Sequence, residues 1–168
     1  DCITVNTAGT YIVTITDGTG CTSSCSVTVT ISPLPSCLIS GNNNICLGSS
    51  TQLCVAPGAY SYIWSNGASS NCITVNTPGL YSVTVMNANG CISSCSQTVT
   101  VRDLPICEIT GEDAFCESSE TEICANEGDF TYMWSTGETT NCILVGEAGS
   151  YQVTITDVFG CSSVCEKS

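Results

Sequence analysis

Apolar and polar residues alternate with a period of two along most of this chain. Residues 72–76 read Cys72-Ile73-Thr74-Val75-Asn76, and residues 81–86 read Tyr81-Ser82-Val83-Thr84-Val85-Met86. Residues 96–101, Ser96-Gln97-Thr98-Val99-Thr100-Val101, do the same. A two-residue period sends alternate side chains to opposite faces of a strand, one buried and one wet. Valine, isoleucine, threonine and tyrosine fill these runs, as a half-buried pleated surface favours. Asn66-Gly67, Pro78-Gly79 and Asn89-Gly90 separate the runs as turns. No segment carries a helix cap followed by an apolar stripe of period 3.6. The pattern predicts six or seven short strands in every 70 residues, an all-β chain folded into two-sheet sandwiches.

The runs recur. Cys2, Cys72 and Cys142 are spaced 70 residues apart, as are Cys21, Cys91 and Cys161, and Cys25, Cys95 and Cys165. Cys37, Cys46 and Cys54 return as Cys107, Cys116 and Cys124, and Trp64 returns as Trp134. Residues 1–31 match residues 71–101 at 19 of 31 positions without an insertion. Self-similarity at a fixed period marks a tandem array. Residues 32–102 form one complete repeat. Residues 103–168 form another that lacks most of its last strand, because Ser168 is the counterpart of Thr98. Residues 1–31 are the C-terminal half of a repeat whose first half is missing or is supplied by another chain. The junctions read Ile31-Ser32-Pro33-Leu34-Pro35-Ser36 and Val101-Arg102-Asp103-Leu104-Pro105-Ile106. Proline there ends the sheet ladder, and so short a connection limits the angle between neighbours.

Charge narrows the partners. The 168 residues carry 15 acidic and 2 basic side chains, Arg102 and Lys167, for a net charge of −13. No basic patch exists to displace phosphate counterions, so nucleic acid is excluded as a partner, and anionic membrane surfaces are disfavoured. No stretch reaches the ~20 apolar residues of a membrane span. Asp1 opens directly onto a strand-like run, so any secretory leader would precede it. Fifteen cysteines point to an oxidising, extracellular compartment. Histidine is absent, which removes imidazole acid–base chemistry, Ser-His-Asp and Cys-His nucleophiles, and imidazole metal sites. No Gly-x-Ser-x-Gly elbow is present. The expectation is that the chain is not an enzyme. With two basic residues it also offers trypsin-like proteases almost nowhere to cut.

Two details carry a resemblance. Trp64 and Trp134 sit mid-run in Tyr-x-Trp-Ser, and Tyr11, Tyr81 and Tyr151 each follow a glycine by two residues at the start of a strand. Together with Tyr62-Ile63-Trp64-Ser65-Asn66-Gly67, Ile73-Thr74-Val75, residues 78–85 and Asn89-Gly90-Cys91, the pattern resembles the immunoglobulin-like and PKD-like repeats of bacterial secreted and cell-surface proteins. The resemblance implies a buried tryptophan on the third strand and a tyrosine corner, so Trp64, Trp134, Tyr11, Tyr81 and Tyr151 are assigned to the core. It also implies an adhesin, a stalk or a fibre.

Each complete repeat holds six cysteines, which permit 15 pairings. Cys54 and Cys72 fall on strands expected to be neighbours in one sheet, which suggests 54–72 and 124–142. The family resemblance favours 46–91 and 116–161. Cys37 with Cys95 and Cys107 with Cys165 then remain. Cys2, Cys21 and Cys25 have no partner in this scheme within the chain, and either the missing half-repeat or another subunit would supply one. No Cys-x-x-Cys pair exists, so thiolate metal sites are the weaker reading.

Thirteen of the acidic residues lie within residues 103–168. Glu112, Asp113, Glu117, Glu120 and Glu122 cluster before the second strand of the last repeat, and hard oxygen ligands of this kind suit calcium. The alternative is a solvated acidic surface. No other cofactor is implied. The functional expectation is an extracellular structural protein forming a fibre, pilus-like filament or surface stalk. Its partners are copies of itself or neighbouring repeats of one long chain, with strand exchange at an open sheet edge. The alternative is an adhesin whose acidic terminal domain recognises a ligand in a calcium-dependent way.

Overall fold

The computed structural model describes residues 2–116 and 119–168, and every regular element in them is a strand. No helix long and apolar enough to cross a membrane occurs among the described residues. Residues 1–31 give β1 (Gly9–Thr16) and β2 (Thr22–Val29), one antiparallel hairpin. Residues 32–102 give β3 (Ile39–Ser40), β4 (Asn44–Cys46), β5 (Thr51–Val55), β6 (Tyr60–Trp64), β7 (Cys72–Val75), β8 (Gly79–Asn87) and β9 (Ile92–Arg102). These form two sheets, ordered β3-β5-β7 and β4-β9-β8-β6. Leu53, Val55, Ile73 and Val75 of the first sheet pack against Tyr62, Trp64, Val83, Val85 and Val99 of the second. Alternation along each strand puts these residues on the inner face, where the hydrophobic effect holds the layers together.

Residues 103–168 repeat the plan with β10 (Ile109–Gly111), β11 (Thr121–Ala125), β12 (Phe130–Trp134), β13 (Cys142–Val145), β14 (Tyr151–Asp157) and β15 (Ser162–Lys167). The sheets are β10-β11-β13 and β12-β14-β15, around a core of Ile123, Trp134, Ile143, Val145, Val153 and Ile155. The chain is an all-β, disulfide-rich sandwich protein. Trp64 and Trp134 are each 2% exposed, and their indole N–H groups donate to the Ser70 and Thr140 carbonyls at 2.8 Å. That bond satisfies the one polar atom of a buried indole. The half-buried Tyr11, Tyr81 and Tyr151 donate their hydroxyls to the Thr7, Thr77 and Glu147 carbonyls, each four residues upstream, forming a corner at the strand entrance. Tyr81 and Tyr151 pack against the two cores, whereas Tyr11, assigned to a core from the sequence, packs in neither because its hairpin has no facing sheet.

One ladder departs from the antiparallel rule. β4 pairs in parallel with the far end of β9, matching Asn44 with Thr100, Ile45 with Val101 and Cys46 with Arg102. The pairing buries Ile45 and carries Cys46 to the linker end of the repeat. Residues 114–116, the counterpart of β4, form no strand. Their ladder partners would be counterparts of Thr100–Arg102, and the register of the last repeat stops at the counterpart of Thr98.

Val13 and Ile15 on β1 are the counterparts of Val83 and Val85, which are 1% and 0% exposed. On the hairpin they are 54% and 65% exposed, because no second sheet covers them. A lone two-stranded hairpin is marginal in water. In the 168-residue chain, amides of β1 and β2 should therefore exchange with deuterium orders of magnitude faster than their counterparts in β8 and β9. Equal protection in hydrogen-exchange mass spectrometry would contradict this reading of the core.

Candidate functional site

Ten cysteines are bonded. Cys54–Cys72 and Cys124–Cys142 join directly opposed residues of neighbouring strands, at Cα separations of 4.1 and 4.0 Å. Cys37–Cys95 and Cys107–Cys165, at 5.6 and 5.5 Å, tie the segment entering each repeat to its last strand. The fifth bond crosses between repeats. Cys46 is joined to Cys161, 115 residues away in sequence, at a Cα separation of 5.5 Å.

This corrects the pairing 46–91 and 116–161 favoured by the family resemblance; Cys91 and Cys116 are unbonded. The reason is distance along one strand. β9 begins immediately after Cys91 and ends at Arg102, beside Cys46. At ~3.3 Å per residue, the eleven steps from Cys91 to Arg102 separate the two cysteines by roughly 36 Å. A disulfide needs Cα atoms within about 7 Å. Each repeat thus carries a Cys46-type cysteine at one pole and a Cys91-type cysteine at the other, so the bond is made to a neighbour. Sequence reasoning missed this because nothing in residues 44–46 announces a parallel partner. The available signal was the long alternating run after Cys91, which already fixes that residue at the opposite end from the linker.

The turn that presents Cys161 is built from its own side chains. The Asp157 carboxylate accepts the N–H groups of Phe159 and Cys161 at 2.9 and 2.8 Å. Backbone bonds from Asp157 N–H to the Cys161 carbonyl and from Gly160 N–H to the Asp157 carbonyl close it. Gly160 sits at φ +85°, in the left-handed region that costs a side chain but not glycine. Asp17 and Asn87 hold Cys21 and Cys91 through the same pair of side-chain contacts. An acceptor two residues before the turn tip is the usual means of fixing such a loop. Hydrogen bonds from the Thr19 hydroxyl and from the Cys21 and Thr19 amides hold the Asp17 carboxyl below its ordinary value of 3.8.

On the linker side, the Arg102 guanidinium lies 3.5 Å above the Phe159 ring, and the Arg102 carbonyl accepts Leu47 N–H at 2.7 Å. The buried Arg102 Nε has no hydrogen-bond partner, so the ring face is the compensating contact. The preceding junction uses the same positions with different chemistry. Ser32 stands where Arg102 stands and Asn89 where Phe159 stands, and the Asn89 amide donates to the Ser32 hydroxyl at 2.9 Å. The Asn87 amide reaches the Pro33 carbonyl at 3.0 Å, and the Cys91 thiol points at the Ser32 carbonyl at 3.8 Å.

Among the described residues the acidic cluster does not converge. Asp113 pairs with Lys167, whose hydrogen bond and charge hold the Asp113 carboxyl below the ordinary range. Glu117 lies outside the described residues. Among the described residues, Glu122 is the only carboxylate of the cluster in a group with metal-ligand spacing, and its companions Cys124 and Cys142 are bonded to each other and so offer no thiolate. Glu112 and Asp113 instead edge an open groove of about 430 Å³ floored by Thr121, Ile123, Val145 and Tyr151. In the repeat of residues 32–102 the buried Val99 on β9 joins the core, opposite Gly79; its counterpart would follow Ser168.

No family model matches the chain, and no curated protein matches its sequence. Among solved structures it is similar to a Ca²⁺-stabilized, ice-binding adhesin of an Antarctic bacterium, at 14% identity and a TM-score of 0.43 over 94% of this chain. It is also similar to murine CEACAM1b, at 9% identity and a TM-score of 0.35 over 77% of this chain and 95% of that one. A third is Bacteroides ovatus SGBP-B of a mixed-linkage glucan utilization locus, in complex with a mixed-linkage heptasaccharide, at 15% identity and 0.24 over 95% of this chain. The chain spans 55% of the length of the first and 52% of the third.

Two outcomes follow from this geometry. Arg102 is the sole basic residue at the junction of residues 32–102 with residues 103–168. The unreduced chain, alkylated, unfolded in urea and cut by trypsin after Arg102, should stay one covalent species on a gel. Reductant should release residues 1–102 from the remainder, and Cys46→Ser should release them without reductant. Separation of the unreduced wild type would mean that no bond crosses the junction. The second outcome concerns Asp17, whose folded carboxyl is more acidic than its unfolded form. Its contribution to the turn is complete above 3.8 and is lost as pH falls through the lower folded value. A carboxyl-carbon NMR titration should show that depressed midpoint, moving back up in Thr19→Val.

Proposed function

We propose that the chain is a segment of an extracellular stalk or fibre in which sandwich repeats are locked in line by disulfides, with no catalytic role. The observation that carries this is Cys46–Cys161, a covalent bond running alongside the linker between two separately cored repeats. A binding module needs one well-formed domain and gains little from fixing the angle to its neighbour. A spacer gains reach and stiffness from it.

The supporting chemistry is consistent. With the bridges within each repeat closed, the ring joining Cys46 to Cys161 consists only of residues 37–46, 95–107 and 161–165. Closing a ring of that size removes roughly 3–4 kcal/mol of chain freedom in the entropic account. The open groove beside β15, with an unpaired sheet edge above an apolar floor, suits an added strand and supports strand exchange between subunits as a means of extending the fibre. Five disulfides and two basic residues suit a protein that persists outside the cell.

Small-angle X-ray scattering tests the stiffness directly. The wild type should give one narrow distribution of inter-repeat distances, and Cys46→Ser a broader one with unchanged strand content. Antibody against the chain, applied to intact unpermeabilised cells that make it, should line extended surface structures in electron micrographs. Identical scattering from both proteins, or labelling confined to the cell interior, would sink the proposal.

A further inference from the structure

The bond between Cys46 and Cys161 obeys the 70-residue register, and the register leaves three positions of these two types open, Cys21, Cys91 and Cys116. Cys91 is the counterpart of Cys161, and Cys116 is the counterpart of Cys46. Both are unbonded, Cys91 half-buried and Cys116 exposed. We propose that Cys91 and Cys116 are the two open halves of this same bridge, each bonded in the assembled protein to a further unit of the repeat. The inference rests on the stalk reading and specifies what such a stalk joins to, and through which atoms.

The first junction already has the geometry of the second. At the bonded junction, Cys161 follows an aspartate-held turn whose Phe159 meets Arg102, and Arg102 lies opposite Cys46 in the β4–β9 ladder. At the first junction, Cys91 follows the equivalent turn held by Asn87, and Asn89 meets Ser32. The Cys91 sulfur lies 3.8 Å from the Ser32 carbonyl. A Cys46-type cysteine paired with Ser32, as Cys46 is paired with Arg102, would therefore arrive beside the Cys91 sulfur. The turn, the linker contact and one thiol are in place; the strand that would bring the other thiol is not part of residues 1–31. At the other end Cys116 is that other thiol, at the pole facing away from Cys46–Cys161.

The occupant is a further unit with its own first half, rather than a second copy of these residues. The same register assigns a partner to every unbonded cysteine: Cys2 takes a Cys54-type partner, Cys25 a Cys37-type partner, and Cys21 and Cys91 Cys46-type partners. A second copy offers only Cys116 as a free Cys46-type thiol, so it could satisfy one of Cys21 and Cys91 and would leave Cys2 and Cys25 unbonded. Each bond forms when two thiols lose two protons and two electrons to a low-molecular-weight disulfide or a disulfide oxidoreductase, which leaves as two thiols.

Native material, alkylated without reduction, digested with pepsin at acid pH and mapped by mass spectrometry, tests this. The expected result is that Cys91 and Cys116 are inaccessible to alkylation until reduced. Cys91 should be found linked to a peptide from a Cys46-type strand of another unit, and Cys116 to a peptide from a Cys161-type turn of another unit. Alkylated Cys91 and Cys116 beside an intact Cys46–Cys161 peptide pair would overturn the proposal while leaving the stalk reading standing. Cys116 linked to Cys21 or Cys91 between copies would overturn the choice of occupant. Linkage of Cys46 to Cys91 and Cys116 to Cys161 within one chain would overturn both this proposal and the stalk reading.

Discussion

The length of β9 governs how the cysteines of this chain can be used. Eleven residues of strand run from the turn after Asn87 to the linker, and a pleated strand cannot shorten. Whatever sits at the turn is held a strand's length from whatever sits at the linker. Cys91 and Cys46 occupy those two poles, so a bond between them inside one repeat is geometrically closed. Between repeats the opposite holds, because the linker pole of one unit abuts the turn pole of the next. The same covalent chemistry that staples the core of small disulfide-rich domains is here directed across the junction, and the direction follows from strand length alone.

Around that bond the junction is conserved in shape and varied in chemistry. The turn is rebuilt three times with Asp17, Asn87 and Asp157 as the side-chain acceptor, and a glycine in the left-handed region closes each. Neutral asparagine serves as well as aspartate because the contact needed is a carbonyl-type oxygen facing two amides, which both side chains have. Across the linker, a serine–asparagine hydrogen bond at one junction is replaced by an arginine–phenylalanine stack at the other. The two partners change together, which is what a contact at a shared interface requires: asparagine would leave the Arg102 guanidinium without its ring, and phenylalanine would remove the shorter of the two amide donors to the Ser32 hydroxyl, leaving only Asn87 at 3.3 Å.

Much of the fold was legible because the hydrophobic alternation is so regular. Period-two runs located the long strands, and Asn66-Gly67 and Asn89-Gly90 located turns, whereas Gly79 of the Pro78-Gly79 pair opens β8. The immunoglobulin-like resemblance pointed to the buried Trp64 and Trp134, and the structure places both in the cores. What escaped was the pairing of a three-residue strand, β4, in parallel with β9. A strand that short has no periodicity to read, and its direction is set by where the chain must go next, not by its own residues. Since that one ladder decides which pole Cys46 occupies, a local gap in the reading became an error about the whole junction. The acidic cluster shows the converse: Glu112, Asp113, Glu120 and Glu122 are close in sequence, yet Asp113 turns to Lys167 and Glu122 to a strand face. Proximity along an extended chain is weak information about proximity in space.

The bonds also determine how tension passes through the protein. A pull entering at Cys37 can cross directly to Cys95, follow the linker to Cys107 and cross to Cys165. It can equally run from Cys37 to Cys46, cross to Cys161 and reach Cys165. The first route loads residues 95–107; the second loads residues 37–46 and 161–165, stretches of nearly equal chain length. Neither draws on β5 to β8 or on β11 to β13, whose buried side chains make up most of both cores. Tension is therefore divided between two covalent paths at the one place where a string of domains is normally held by a single strand of polypeptide. A proteolytic cut in the linker leaves the second path intact. For a protein whose sequence gives each repeat only a small core, moving the mechanical burden from packing to covalent bonds is the physically economical arrangement, and it works only if the bond skips from one unit to the next.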